Sequence, residues 1–260
     1  MRLNNFNLAE NTSNMIFKID SVGKIDTKKP LDISLPLSNT SENPRAWYVD
    51  LPTIEPVMEN GFVGSVKKGG SVNFRNISFN PHGHGTHTEC LGHITPEVYS
   101  VNQSLNEFFF KTEVVSVFPE KIGEDKVITK KNLEENLIGK KIDALVIRTL
   151  PNLEEKKHTN YTETNPPFLE LSCIDILNAC GVKHLLIDLP SVDKESDGGE
   201  LAFHHAFWGV PNNLQFDKTI TELVYVKENI KDGSYILNLQ VAPFENDASP
   251  SRPVLYEVFE

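Results

Sequence analysis

A chain of 260 residues with 25 Lys and Arg against 36 Asp and Glu carries a formal charge of −11 and is long enough to bury a full core within one domain. That acidic balance excludes the clustered basic residues needed to bind a phosphate backbone, so no nucleic acid is expected as a partner. The longest apolar stretches, Ala144–Ile147 and His184–Leu189, are strand-length and far short of the roughly 20 residues of a membrane helix.

In chain order, the N-terminal Met1-Arg2-Leu3-Asn4-Asn5-Phe6 lacks the apolar run of a signal peptide, which predicts a cytoplasmic location. Runs of β-branched and aliphatic residues predict strands at Thr112–Phe118, Ala144–Leu150, His184–Leu189, Glu222–Val226 and Tyr235–Ala242. A short helix is expected over Asn132–Ile138, closed by Gly139. A longer one is expected over Pro167–Cys180, where Phe168, Leu171, Ile174 and Leu177 recur at helical spacing and Gly181 supplies the stop. Strand, helix and strand in that order form an αβ crossover in a mixed sheet. The expected fold is α/β, dominated by sheet, as a single domain over residues 1–260. Cys90, Cys173 and Cys180 are odd in number and not spaced as a zinc knuckle, so they are read as free thiols.

Four of the eight histidines, His82, His84, His87 and His93, fall in Asn80-Pro81-His82-Gly83-His84-Gly85-Thr86-His87-Thr88-Glu89-Cys90-Leu91-Gly92-His93. Imidazole binds divalent transition metals through a neutral ring nitrogen. In an extended segment, residues two apart point the same way, so His87 and Glu89 can grip one ion together. The alternatives are a solvated, Gly-rich surface loop and a metal-storage tract, the latter usually more monotonous in composition.

Gly85-Thr86-His87-x-Glu89-x-Leu91-x-His93 resembles the His-x-Gly-Thr-His-x-Asp-x-Pro-x-His hallmark of the cyclase family of metal-dependent hydrolases, which includes bacterial kynurenine formamidases and isatin hydrolases. Leu31-Asp32-Ile33-Ser34-Leu35-Pro36-Leu37 is similar to the family's N-terminal strand. Ile187-Asp188-Leu189-Pro190-Ser191-Val192-Asp193 and Leu201-Ala202-Phe203-His204-His205 resemble its next two segments. Glu222 falls where a second carboxylate ligand is placed, and Asp247-Ala248-Ser249-Pro250-Ser251-Arg252-Pro253 resembles the closing pattern, so the likeness spans roughly residues 30–255.

The resemblance implies a swivelling-domain-like mixed β/β/α layout, with His87, Glu89, His204 and Glu222 as ligands of one or two divalent ions, zinc or manganese, and His93 as general acid/base. The family's first histidine aligns with Gly83, so His82 and His84 are both candidates, with one inserted residue favouring His82. Glu89 stands in place of Asp and Leu91 in place of Pro. A lengthened His204–Glu222 separation leaves His205 as an alternative ligand. Trp47 and Tyr48 lie where the family has a loop near the substrate, and Trp47 is a candidate to stack on a flat ring. His158 and His184 match nothing and are read as structural or surface residues.

The implied reaction is hydrolysis of a non-peptide carbon–nitrogen bond in a small molecule, of the arylformamidase or isatin-hydrolase type. A lyase or cyclase acting on a polyketide-like substrate and a non-catalytic metal-binding scaffold are the alternatives. The resemblance also implies a homodimer or homotetramer, with no membrane partner.

Overall fold

In the computed structural model, which describes residues 15–19 and 22–260, nine strands form one mixed sheet. They are Leu31–Asp32 (β1), His87–Glu89 (β2), Phe109–Val117 (β3), Ala144–Thr149 (β4), His184–Ile187 (β5), Thr219–Glu222 (β6), Gly233–Asn238 (β7), Ala248–Pro250 (β8) and Val254–Glu257 (β9). Their spatial order is β8-β2-β6-β5-β4-β3-β7-β9-β1. The four central strands are parallel and every flanking pair is antiparallel. The N-terminal residues read for a signal sequence lie outside the described residues.

The parallel centre follows from the sequence, because strands covered on both faces must be apolar throughout. Leu145 and Ile147 of β4 face one core with Leu185 and Ile187 of β5, while Ala144, Val146 and Leu186 face a second. Three helices cover the first face: Lys130–Leu137 (α1), Cys173–Cys180 (α2) and Ala202–Trp208 (α3). They bury Leu133, Leu137, Ile176, Leu177, Phe203, Phe207 and Trp208. Each such side chain contributes about 1.5–3 kcal/mol by leaving water. The expected crossover is present, since β4 and β5 pair in parallel with α2 between them in the chain. Cys90, Cys173 and Cys180 are buried free thiols. Among the described residues, no helix is long and apolar enough to cross a membrane.

Three expected elements differ, the first being the strand expected over Tyr235–Ala242, which runs instead over Gly233–Asn238. The helix expected from Pro167 begins only at Cys173, because Phe168 and Leu169 form a short strand parallel to Val127 and Ile128. Leu171, assigned to the apolar stripe, is half exposed. The buried stripe of α2 is instead Cys173, Ile176, Leu177 and Cys180. The strand expected over Glu222–Val226 ends at Glu222, because Leu223 adopts a left-handed φ of 54°. That turn leaves Glu222 as the last residue of β6, at the rim of the sheet.

The loop after β5 leads towards that rim. Asp188 is buried and accepts the Thr149 N–H, the Thr149 hydroxyl and the Lys156 ammonium, which ties the ends of β4 and β5 together. Burial raises the Asp188 carboxyl, with the Lys156 charge opposing.

His184, one of the two unmatched histidines, is a structural residue buried against the Phe110 ring, with Nδ1 2.9 Å from Thr219 Oγ1. Burial depresses it to about 4, against an ordinary value of about 6.5. The stability that its neutral ring contributes is therefore complete above pH 6.5 and is lost as pH falls towards 4, by up to about 3 kcal/mol. Urea titrations of the native protein and His184→Phe from pH 7 to pH 4 should show the native protein losing that much more; parallel losses contradict this.

Candidate metal centre

The centre begins with β2. His87 and Glu89 are alternate residues of a strand and share a face, as the motif spacing predicts. β2 lies between β6 and β8, with Glu222 opposite His87 and Ala248 opposite Glu89. That register brings His87 Nε2 to 3.4 Å from Glu222 Oε2. After Glu89 the chain makes a 3-10 turn, Leu91–His93, which folds His93 back over the strand, Nε2 lying 3.8 Å from Glu89 Oε2. Only glycine fits inside this turn, since a Cβ on Gly92 would lie 2.1 Å from the Tyr99 carbonyl oxygen.

A second 3-10 turn, Pro81–Gly83, sets the first histidine. Pro81 opens it and the Asn80 side chain accepts the His82 N–H at 2.9 Å. His82 points into the cluster, with Nδ1 3.0 Å from Glu89 Oε2. His84 does not: its Nδ1 accepts the Asn80 N–H at 2.7 Å and its Nε2 donates to the Asp50 carbonyl at 2.5 Å. Both nitrogens are used, so of the two candidates only His82 joins the site.

The last imidazole arrives on α3. His204 is buried and its Nε2 lies 3.0 Å from Glu89 Oε1, while its Nδ1 is held 2.6 Å from Asp193 Oδ2. The same Asp193 carboxylate accepts the backbone N–H groups of Phe203 and His204, anchoring the start of the helix. The neighbouring His205 is absent from the cluster and partly exposed, because successive helical residues face different directions. Glu222 Oε1 accepts the Val192 N–H at 3.2 Å, so the Asp188–Asp193 loop packs directly on the site.

Two functional positions escaped the sequence reading of single residues. Asp193 and Asp247 fall inside segments that carried the family resemblance, yet neither carried a role. Asp247 Oδ2 lies 2.7 Å from His82 Nε2 and 3.4 Å from His93 Nδ1.

The electrostatics are those of a crowded acid–base cluster. Burial and the charge of nearby Glu89 push Glu222 above the usual carboxylate range. Burial presses Glu89 the same way, but His93, His204 and His82 outweigh it and hold the acid well below that range. Burial also opposes charging of the two most tightly bound rings. Nevertheless Asp193 and Glu89 raise His204 to about 10, and Asp247 and Glu89 raise His82 to about 10.

Two buried polar atoms of the cluster, His87 Nε2 and Glu89 Oε2, form no well-aligned hydrogen bond, although Glu222 Oε2 and His82 Nδ1 lie 3.4 and 3.0 Å from them. Buried polar atoms are rarely left so, and both belong to side chains of the cluster. His87 Nδ1 is 2.9 Å from the Gly85 carbonyl, a bond that Nδ1–H must donate, and Nε2 is the ring nitrogen that faces the cluster. Mixed imidazole and carboxylate donors suit zinc or manganese. Donor atoms of His82, His87 and Glu89 lie within 4.8 Å of one another, as do those of Glu89, His93 and His204. The residues present fit a divalent cation.

A cavity of about 330 Å³ opens onto this cluster, walled by Trp47, Val49, Asn80, Lys194 and Leu201. Trp47 and Leu201 both hold left-handed backbone conformations, φ 61° and 43°. Such strain costs roughly 1–3 kcal/mol per residue and gathers where function requires it.

The mixed α/β fold is one that known proteins share with this one. A family profile described as putative cyclase matches residues 31–194, and the chain belongs to that cyclase family. It is 27% identical to a kynurenine formamidase of Bacillus cytotoxicus over 86% of this chain and 96% of the relative. A second kynurenine formamidase, of Bacillus anthracis, is 28% identical, with 88% and 98% covered. An isatin hydrolase bound to the product analogue thioisatinate shares the fold with a TM-score of 0.64 at 13% identity, covering 89% of this chain and 93% of its own. A potential metal-dependent hydrolase with cyclase activity does so at 0.62 and 14%, covering 89% and 99%.

The geometry separates His82 from His84 experimentally. In zinc titrations, His82→Gln should weaken binding by about 100-fold or more. His84→Gln should leave affinity unchanged while costing about 1–3 kcal/mol of stability through its two partly buried hydrogen bonds. The reverse pattern contradicts the placement.

Proposed function

We propose that this protein is a metal-dependent hydrolase of a non-peptide amide carbon–nitrogen bond, acting on a small aryl formamide or a related lactam. The observation that carries the reading is the pair of buried ligand atoms that make no well-formed hydrogen bond, His87 Nε2 and Glu89 Oε2, in a cluster that also holds Glu222 and His204. His82, His87, Glu89, His204 and Glu222 would hold the cation. A divalent metal at such a site polarises a carbonyl and makes water acidic near neutral pH. The kynurenine formamidase relatives support a formamide substrate, and the isatin hydrolase neighbour, whose namesake is a cyclic amide, supports the same bond type.

The remaining steps belong to the chain's own side chains. His93 lines the cavity at its partly exposed side, 28% accessible, while Glu89 behind it is buried. It is therefore within reach of both the cluster and a bound substrate, the position from which an imidazole passes a proton to a departing nitrogen. Trp47 offers a flat apolar wall on the same cavity, suited to stack on an aromatic ring. The volume falls within the range of small-molecule sites, about 300–1,000 Å³. Glu195 also lines it, but its carboxylate accepts the Glu163 and Asn165 N–H groups, which fixes the rim.

Purified protein should hydrolyse N-formylkynurenine to the free arylamine and formate, or open isatin to the acid with the mass of one water added. Turnover should be abolished by a chelator and restored by zinc or manganese. His93→Ala should lower kcat by about 10²–10⁴-fold with metal content retained. Turnover indifferent to the chelator, or a His93→Ala enzyme within twofold of the native one, contradicts the proposal.

A further inference from the structure

Asp247 lies on the far side of the histidines from Glu89. The His82 ring has Nε2 2.7 Å from Asp247 Oδ2 and Nδ1 3.0 Å from Glu89 Oε2. The His93 ring repeats the arrangement, with Nδ1 3.4 Å from the same Asp247 oxygen and Nε2 3.8 Å from the same Glu89 oxygen. The two rings are stacked, centroids 4.3 Å apart at 28°. Both imidazoles therefore bridge the same two carboxylates, one inside the cluster and one outside.

The position of Asp247 is built into the backbone. Its carbonyl accepts the Cys90 N–H at 3.0 Å, and the next residue, Ala248, stands opposite Glu89. A Cβ on Gly92 would approach the Asp247 Cβ to 3.3 Å. The preceding residues are fastened as well: the Asn246 carbonyl accepts the Val101 N–H, and the Glu245 carboxylate takes the side chains of Ser100, Asn102 and Gln103.

Donor atoms of His82, His93 and Asp247 also lie within 4.8 Å of one another, which raises the alternative that Asp247 is itself a ligand. A cation there would occupy outward ring nitrogens at a partly exposed position and leave His87 Nε2 and Glu89 Oε2 buried without a well-formed hydrogen bond. The arrangement is better satisfied with Asp247 behind the rings.

We propose that Asp247 is a shared positioning residue, one carboxylate that holds both His82, as a ligand, and His93, as the proton carrier, with their inner nitrogens towards Glu89. This rests on the hydrolase reading for the roles of the two rings. It goes beyond it in coupling them, since a single substitution loosens metal binding and proton transfer together. Carboxylates behind a metal-bound imidazole typically change metal affinity by about 10–100-fold when lost.

The test is a double-mutant cycle on the full chain, with zinc affinity by chelator competition and N-formylkynurenine turnover at saturating zinc. Asp247→Asn should weaken zinc by about 10–100-fold and, with zinc restored, still lower kcat by about 10-fold or more. In a His93→Ala background it should weaken zinc again while leaving kcat where His93→Ala put it. A full additional loss of kcat there, or unchanged kcat in the single variant at saturating zinc, overturns the proposal. So does a zinc loss far beyond 100-fold, which marks a direct ligand.

A native enzyme that neither binds zinc nor turns over would overturn the hydrolase reading alone. Imidazole ¹⁵N shifts then decide the coupling by themselves: Asp247→Asn should move the proton distribution of both His82 and His93, and resonances that stay fixed refute it. Asp247→Glu, which restores the charge at longer reach, should recover part of each loss and guards against misfolding of the Asn variant.

Discussion

Two acidic side chains buried side by side are the constraint around which the rest is arranged. Glu89 and Glu222 project from adjacent antiparallel strands, and neither is more than 3% exposed. Burying an unpaired carboxylate is costly, and burying two together more so, unless positive charge is brought between or beside them. His204 comes on a helix and His82 and His93 come on two tight turns, and all three approach Glu89 within 4 Å. Without a cation, protons on His82 and His204 supply compensating charge, which is why burial fails to keep these two rings neutral. A divalent ion would displace those protons and engage His87 Nε2 and Glu89 Oε2, which make no well-formed hydrogen bond.

The fold serves this arrangement by ending strands at the right residue. Glu222 closes β6 because Leu223 turns into the left-handed region, and His87 is brought beside it by the register of β2 on β6. The pair of buried Asp188 and partly buried Lys156 sets the loop that ends in Asp193, and Asp193 in turn pins both the start of α3 and the Nδ1 of His204. The helical cover of the sheet and the orientation of one imidazole thus depend on a single carboxylate. Removing it would strike stability and ligation together.

Much of this was legible in the amino-acid order. Apolar β-branched runs announce the parallel strands because both their faces are covered, and the alternation of His87 and Glu89 announces a shared face because a strand has a period of two. What was not legible depends on side-chain direction. His82 and His84 flank Gly83 symmetrically in sequence, and only the turn begun by Pro81, with the Asn80 and Asp50 groups that occupy His84, separates them. His204 and His205 are told apart by which side of a seven-residue helix faces the sheet. No periodic signal announced that helix. Asp247 is one acid in a chain rich in acids, 165 residues from the His82 it touches. Its place directly ahead of the Ala248-Ser249-Pro250 segment was the available clue.

The central claim is that Glu89, between the two groups of imidazoles, is the inner anchor of a cation. Anomalous diffraction from crystals grown with zinc, collected on both sides of the zinc absorption edge, tests it most directly. The account predicts a peak within about 2.0–2.2 Å of a Glu89 carboxylate oxygen and at imidazole distance from His87 Nε2. A structure with zinc bound elsewhere, or with these atoms still unpartnered at saturating zinc, would contradict it.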